Sequence, residues 1–204
     1  MKIVIPYHPG NIGRAYNNAM SDAKPGEWVV MLDGDVLMLT DKWHARLDAA
    51  LNAMDRSQVG IVSCVTNRTA GLCQQAERWY WRVPLGDDIA EHRKAANGGE
   101  PRHRSVDSRS VDCTDAQETH KSLNGALSGH MIATHRDAWA RVNGFEERIC
   151  RRDVMIGGEY YKYECNGFTG VDTAYYLDVC AAGYRAIVLT WLYCYHGRWT
   201  SSHA

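Results

Sequence analysis

Glu27-Trp28-Val29-Val30-Met31-Leu32-Asp33-Gly34-Asp35 is the stretch on which the reading of this chain turns. Trp28 to Leu32 are all apolar, and a short apolar run without polar alternation predicts a strand covered on both faces, as inside a layered α/β sheet. Two carboxylates one residue apart end the run. The triplet is therefore expected at the strand's carboxyl end, over the crevice where such sheets collect ligands. A divalent cation there can bridge Asp33 and Asp35 to phosphate oxygens. Asp-Gly is also ordinary turn chemistry, so the triplet taken alone reads first as a plain turn.

Upstream, the brief β-branched run from Lys2 to Ile5 stops at Pro6, and Pro9-Gly10-Asn11 hands the chain to a helix through Met20. Downstream, Thr40 is the expected N-cap of a helix from Asp41 to Met54, with Trp43, Leu47, Ala50, Leu51 and Met54 on one apolar face. Val59 to Thr66 reads as a second buried strand. From Asn67 to Ser122 the periodicity fails, and Trp79-Tyr80-Trp81 is the one large apolar feature. That length predicts an irregular insertion acting as a lid or acceptor-side loop. Trp79 and Trp81 offer flat faces to a sugar or base, or to the core.

Pattern returns from Leu123 to Thr134, a strand broken at Ser128-Gly129, followed by a helix from Arg136 to Val142 that Asn143-Gly144 closes. Gly157-Gly158-Glu159 and the neighbouring Tyr160, Tyr161 and Tyr163 read as an irregular stretch, either lid or packing. Asp172 opens a helix to Ala182 as cap, as catalyst or as both; Gly183 closes it, and Tyr184 to Tyr195 is a last strand leading to His196 and Arg198. Arg198 is placed to reach a phosphate group beside His196, or to face solvent. The alternation predicts one α/β domain over residues 1–204, with a mixed, mainly parallel sheet flanked by helices.

Composition narrows the class. The 204 residues are 45% hydrophobic and 23% charged, which excludes a disordered or fibrous chain. A net charge of −1 gives no general attraction to nucleic acid or anionic lipid. The seven cysteines include no C-x-x-C pair and read as reduced packing thiols. The amino-terminal apolar run is too short for a signal peptide, and no stretch reaches spanning length, so a cytoplasmic protein without a membrane span is expected.

Asn11-Ile12-Gly13-Arg14-Ala15-Tyr16-Asn17, followed by Trp28 to Asp35, resembles the amino-terminal half of family 2 glycosyltransferases of GT-A fold, which carry an N-x-G-x-x-x-x-N helix start and then a strand ending in Asp-x-Asp. Ser128-Gly129-His130, Val142-Asn143-Gly144-Phe145-Glu146, Val171-Asp172 and Ala182-Gly183-Tyr184-Arg185 are similar to that family's later motifs, in family order. The resemblance implies a GT-A-type (Rossmann-like) fold, with residues 1–66 as the donor and metal half and 123–204 as the acceptor and catalytic half. It further implies a donor site at Asn11, Gly13, Asn17, Asp33, Gly34 and Asp35, a Mn²⁺ or Mg²⁺ ion on Asp33, Asp35 and His196, acceptor contacts at Ser128, Gly129 and His130, and Asp172 as general base. The family's usual base-reading unit is missing, because Ile5-Pro6-Tyr7-His8 runs almost directly into Asn11.

The expected activity is transfer of a sugar, with inversion, from a nucleotide-sugar donor, UDP-sugar favoured, to an acceptor hydroxyl on a glycan, small molecule, protein or modified nucleobase. A nucleotidyltransferase of related architecture and a non-catalytic nucleotide-sugar-binding protein are the alternatives. Pyrophosphate release would mark the first. An acidic triplet serving only as a turn would mark the second.

Overall fold

The computed structural model describes residues 1–67, 69, 74–75, 88–98, 110–112, 127–156 and 159–197. In chain order the elements are β1 (Lys2–Val4), α1 (Ile12–Ser21), β2 (Trp28–Leu32), β3 (Val36–Met38), α2 (Trp43–Ala53), β4 (Val59–Thr66), α3 (Ile89–Gly98), β5 (Ser110–Asp112), β6 (Met131–His135), α4 (Arg136–Arg141), β7 (Ile149–Ile156), β8 (Glu159–Asn166), α5 (Val171–Ala181) and β9 (Arg185–His196). A seven-stranded sheet has the order β1-β2-β6-β4-β9-β3, with β5 also paired to β9. β7 and β8 form a separate two-stranded sheet.

All five residues of β2 are buried, as their composition requires. Alternate side chains serve opposite faces. Val29 and Met31 join a core with Tyr16, Met20, Ile132, Phe145, Val171 and Tyr175, under α1 and α5. Trp28, Val30 and Leu32 join a second core with Leu47 and Leu51 of α2, Val62, Met131 and Leu192. The expected apolar face of α2 is thus the one it buries, with Trp43, Ala50 and Met54 packed on the same cluster.

The sheet is mixed as expected, but not mainly parallel. Among the described residues β1–β2 and β4–β9 pair in parallel, while β2–β6, β4–β6, β3–β9 and β5–β9 are antiparallel. A continuous apolar run reports that both faces of a strand are covered, and carries no information on its neighbours' direction. β6 enters antiparallel between β2 and β4, matching Val30 to Ala133 and Val62 to Ala133.

Two stretches expected to be irregular hold regular structure. α3 and β5 lie inside the 67–122 region. α3 docks by polar contacts in place of an apolar stripe: His92 Nδ1 is 2.6 Å from the Tyr193 hydroxyl, and Asn97 donates from Nδ2 to Leu39 O at 2.8 Å. The tyrosine-rich stretch is the hairpin β7–β8, in register from Ile149↔Asn166 to Ile156↔Glu159. Tyr163 is buried beneath it and donates to Asp178 at 3.2 Å, whereas Tyr160 is exposed.

Thr40 does not cap α2. Lys42, at φ 54, occupies the cap position without a side-chain bond. The Thr40 hydroxyl instead donates to Trp191 O and accepts from Tyr193 N, at 3.3 and 2.9 Å, so it ties the start of α2 to β9. Among the described residues no helix is long and apolar enough to cross a membrane.

Candidate functional site

β2 delivers Asp33 to the sheet's rim, where its backbone N–H donates to His130 O at 3.1 Å and its carbonyl accepts from Val36 N at 3.3 Å. The acidic triplet is therefore a tight turn between β2 and β3, and the turn is also what gathers its carboxylates. β3 lies antiparallel on β9 with Val36 opposite His196, and Gly197 N donates to Asp35 O at 3.0 Å. The two chain segments are locked together from both sides. His196 Nε2 stands 3.3 Å from Asp35 Oδ2, with side-chain exposures of 27% and 20%.

Asp33, Asp35 and His196 each present a ligand atom, all within 4.8 Å of one another. Two carboxylates and an imidazole, partly open to solvent, suit Mn²⁺ or Mg²⁺ with water or phosphate oxygens filling the other positions. Asp33 carries the electrostatic cost of this crowding. Burial pushes its carboxyl up to about 6; His130 and His196 pull against that, while Asp35 and Asp172 push it further up. A cation on the cluster would relieve that stress.

Asp172 is the second residue of α5, whose N-cap position is Gly170 at φ 73, so Asp172 is not the helix cap. Its Oδ1 accepts from Thr173 N at 2.9 Å and its Oδ2 from Gly129 N at 2.7 Å. Burial drives the carboxyl's pKa above its ordinary value, and those backbone N–H groups oppose the rise. A raised pKa brings a carboxylate closer to proton exchange at neutral pH. Asp33 and Asp172 line one cleft of about 120 Å³ with Ile12, Tyr16, Ser128, Gly129, Phe168 and Val171. That is below the roughly 300–1,000 Å³ of pockets that enclose whole ligands, so the described walls have room for part of a ligand only.

Tyr16 also lines this cleft and was not among the expected site residues. Its hydroxyl donates to Asp33 Oδ1 at 3.4 Å, and burial, Asp33 and Asp172 together raise its pKa, which keeps it a donor. Ile12, Tyr16 and Met20 recur at helical spacing, and that pattern was the available signal. Gly129 packs closely beside it: a Cβ there would lie 3.3 Å from the Asp172 side chain and from the Tyr16 hydroxyl, so a larger residue would displace one of them slightly.

The remaining expected positions divide. Ser128 and Gly129 line the cleft, and Gln74 holds Ser128 through both backbone groups, at 2.7 and 3.2 Å. Gly34 is exposed on the turn, where a Cβ would meet only Ile5 at 3.9 Å. His130 is 1% exposed and lies behind the cleft wall, out of an acceptor's direct reach. Asn11 and Gly13 serve the start of α1: Asn11 caps it and bonds Glu147 O, and a Cβ on Gly13 would meet Glu146 O. Asn17 accepts from Trp139 Nε1 and Phe145 N and donates to Phe145 O and Glu147, so its amide is fully used within the protein. Trp79, Trp81 and Arg198 lie outside the described residues.

Comparisons with protein-family models, with curated proteins and with solved structures each returned no match.

Proposed function

We propose that this protein is a metal-dependent glycosyltransferase of GT-A type, which moves a sugar from a nucleotide-sugar donor, UDP-sugar favoured, to an acceptor hydroxyl with inversion. The observation that carries the proposal is the convergence of Asp33, Asp35 and His196 within 4.8 Å, beside a cleft that Asp33 shares with Asp172. Chain positions far apart in sequence meet there, which supports the reading.

A Mn²⁺ or Mg²⁺ ion would supply Lewis-acid neutralisation of charge on the departing diphosphate. Asp33, Asp35 and His196 would hold it. Tyr16 presents its hydroxyl to the Asp33 carboxylate as a long hydrogen-bond donor, at 3.4 Å. Asp172, held by the backbone of Gly129 and Thr173, takes the proton of the acceptor hydroxyl as that oxygen bonds to the anomeric carbon. The bond from that carbon to the diphosphate oxygen breaks in the same displacement, and the nucleoside diphosphate leaves. Ile5 beside Gly34, and Phe168 in the cleft wall, are exposed apolar side chains that a base or sugar face would cover.

The direct test is a thermal-shift screen of UDP-sugars and GDP-sugars with Mn²⁺, followed by a nucleotide-release assay. A ligand bound only by the folded state must raise its stability. The expected result is a Mn²⁺-dependent shift with one donor and slow release of its nucleotide. Neither a shift nor release with any donor, and no change on Asp35→Ala, would overturn the proposal.

A further inference from the structure

Behind the cleft wall a second cluster joins three adjacent strands. Cys64 comes from β4 and Cys194 from β9, while His130 immediately precedes β6. Their ligand atoms also lie within 4.8 Å of one another, and all three residues are buried. We propose that Cys64, His130 and Cys194 bind one thiophilic transition-metal ion of the zinc class, at a site separate from the carboxylate cluster.

The donor chemistry is the first argument. Cys64 Sγ and Cys194 Sγ are 3.4 Å apart and both residues have no exposure. Two sulfurs on one metal with tetrahedral angles and bonds of about 2.3 Å stand about 3.8 Å apart, so seating an ion needs only a small spreading of the pair. Sulfur and imidazole ligands favour zinc-class ions over Mg²⁺ or Mn²⁺, which the neighbouring carboxylates suit. Charge also balances: two thiolates and a neutral imidazole on a divalent ion sum to zero, the state a dry interior tolerates. Binding releases the two thiol protons to solvent.

The imidazole is the second argument. His130 Nε2 stands 3.2 Å from the Cys64 carbonyl, a group that can only accept, so the ring proton belongs on Nε2. Nδ1 is then a buried lone pair that makes no hydrogen bond of standard geometry, and the ring's electrostatic partner is the Cys194 sulfur, the atom a shared ion would join it to. Unpaired buried acceptors are rare because each costs a hydration it never recovers. A ligating histidine ordinarily donates its other N–H to a carbonyl or carboxylate, which is the arrangement seen here. Three protein donors leave the fourth coordination position to a water.

The test uses the full chain, purified reduced and stripped of metal, and titrated with Co²⁺ alone. The expected result is one equivalent of Co²⁺ giving a near-ultraviolet thiolate charge-transfer band and the visible bands of tetrahedral cobalt, displaced by Zn²⁺. The band should vanish in Cys64→Ser and Cys194→Ser, and persist in Cys150→Ser/Cys165→Ser, which removes the other close sulfur pair. It should also persist in Asp35→Asn, so failure of the carboxylate site is read separately. No charge-transfer band from the reduced wild-type chain would overturn the proposal without any variant needing to fold. So would a band lost in Cys150→Ser/Cys165→Ser, or one unchanged in a folded Cys64→Ser.

Discussion

Cys194 and His196 sit two residues apart on β9 and so lean to the same side of the sheet, yet they end in opposite surroundings. Cys194 is sealed, and His196 keeps about a quarter of its side chain in solvent. Around His196 gather oxygen donors, and around Cys194 a sulfur and a nitrogen. One strand thus carries a hard-donor cluster at the rim and a soft-donor cluster one step inward. Without an ion the rim cluster is stressed at Asp33, chiefly because that carboxyl is taken out of water and secondarily because Asp35 and Asp172 stand near it. The inner cluster is stressed first by burial, against which Cys194 and His130 favour one another's charged forms, and one imidazole nitrogen makes no hydrogen bond of standard geometry. The difference shows how exposure, more than residue type alone, decides what an empty site costs.

The comparison can be broken at the rim first. Asp172→Asn should lower turnover by roughly 100-fold or more while Mn²⁺-dependent donor binding, read by calorimetry, survives. An amide nitrogen facing the N–H of Gly129 or Thr173 should also cost about 1–3 kcal/mol in urea unfolding. Asp35→Ala should remove the Mn²⁺-dependent thermal shift and cut turnover on the order of 100-fold, leaving any cobalt–thiolate band intact. Loss of that band as well would make the two clusters a single site.

Asp33 sharpens the contrast through pH. Its carboxyl is raised from 3.8 to about 6 in the folded protein, so between those values the native state holds more protons than the unfolded one. Stability of the metal-free protein from this group is therefore greatest below about pH 4 and falls as pH rises toward 6, by at most about 3 kcal/mol. Asp33→Asn should flatten that slope in urea titrations and leave the metal-free variant more stable at pH 7 than the wild type. The smallest effect is expected away from both clusters. Asn17→Ala should cost about 2 kcal/mol, since Trp139 Nε1 and Phe145 N lose their acceptor. Turnover per folded molecule should be unchanged, and a raised KM for the donor would return Asn17 to the binding site.

Much of the rim was legible from local chemistry. Trp28 to Leu32 reads as a buried strand because five apolar residues cannot face water, and the turn residues after it fix where Asp33 and Asp35 stand. Asn11 signals a helix start, and it is the cap of α1. Strand direction was not legible, since apolar content is blind to it. The hairpin β7–β8 escaped because tyrosine and charge mask its alternation: Arg151, Asp153 and Met155 are exposed while Val154, Tyr163 and Cys165 are buried. Two apolar-bearing runs flanking Gly157-Gly158 were the missed hairpin signal. The sulfur cluster had no local signature, because Cys64, His130 and Cys194 are each more than sixty residues apart. Only the pairing of β4 with both β6 and β9 brings them together.

The crowding at Gly13 reaches beyond α1. Its N–H donates to Gly167 O at 3.1 Å, a Cβ on it would strike Glu146 O, and a Cβ on Gly167 would come 2.6 Å from Glu147 O. Residues 146–147 and 167 bracket the hairpin, so both of its legs are pinned at one three-way knot against the first turn of α1. The β7–β8 arm is therefore tied at its base here, in addition to the core contacts of Val154, Tyr163 and Cys165 along its length. Phe168, one residue beyond the knot, lines the cleft, and enlarging either glycine would therefore be felt at the substrate's doorway as well as in the arm.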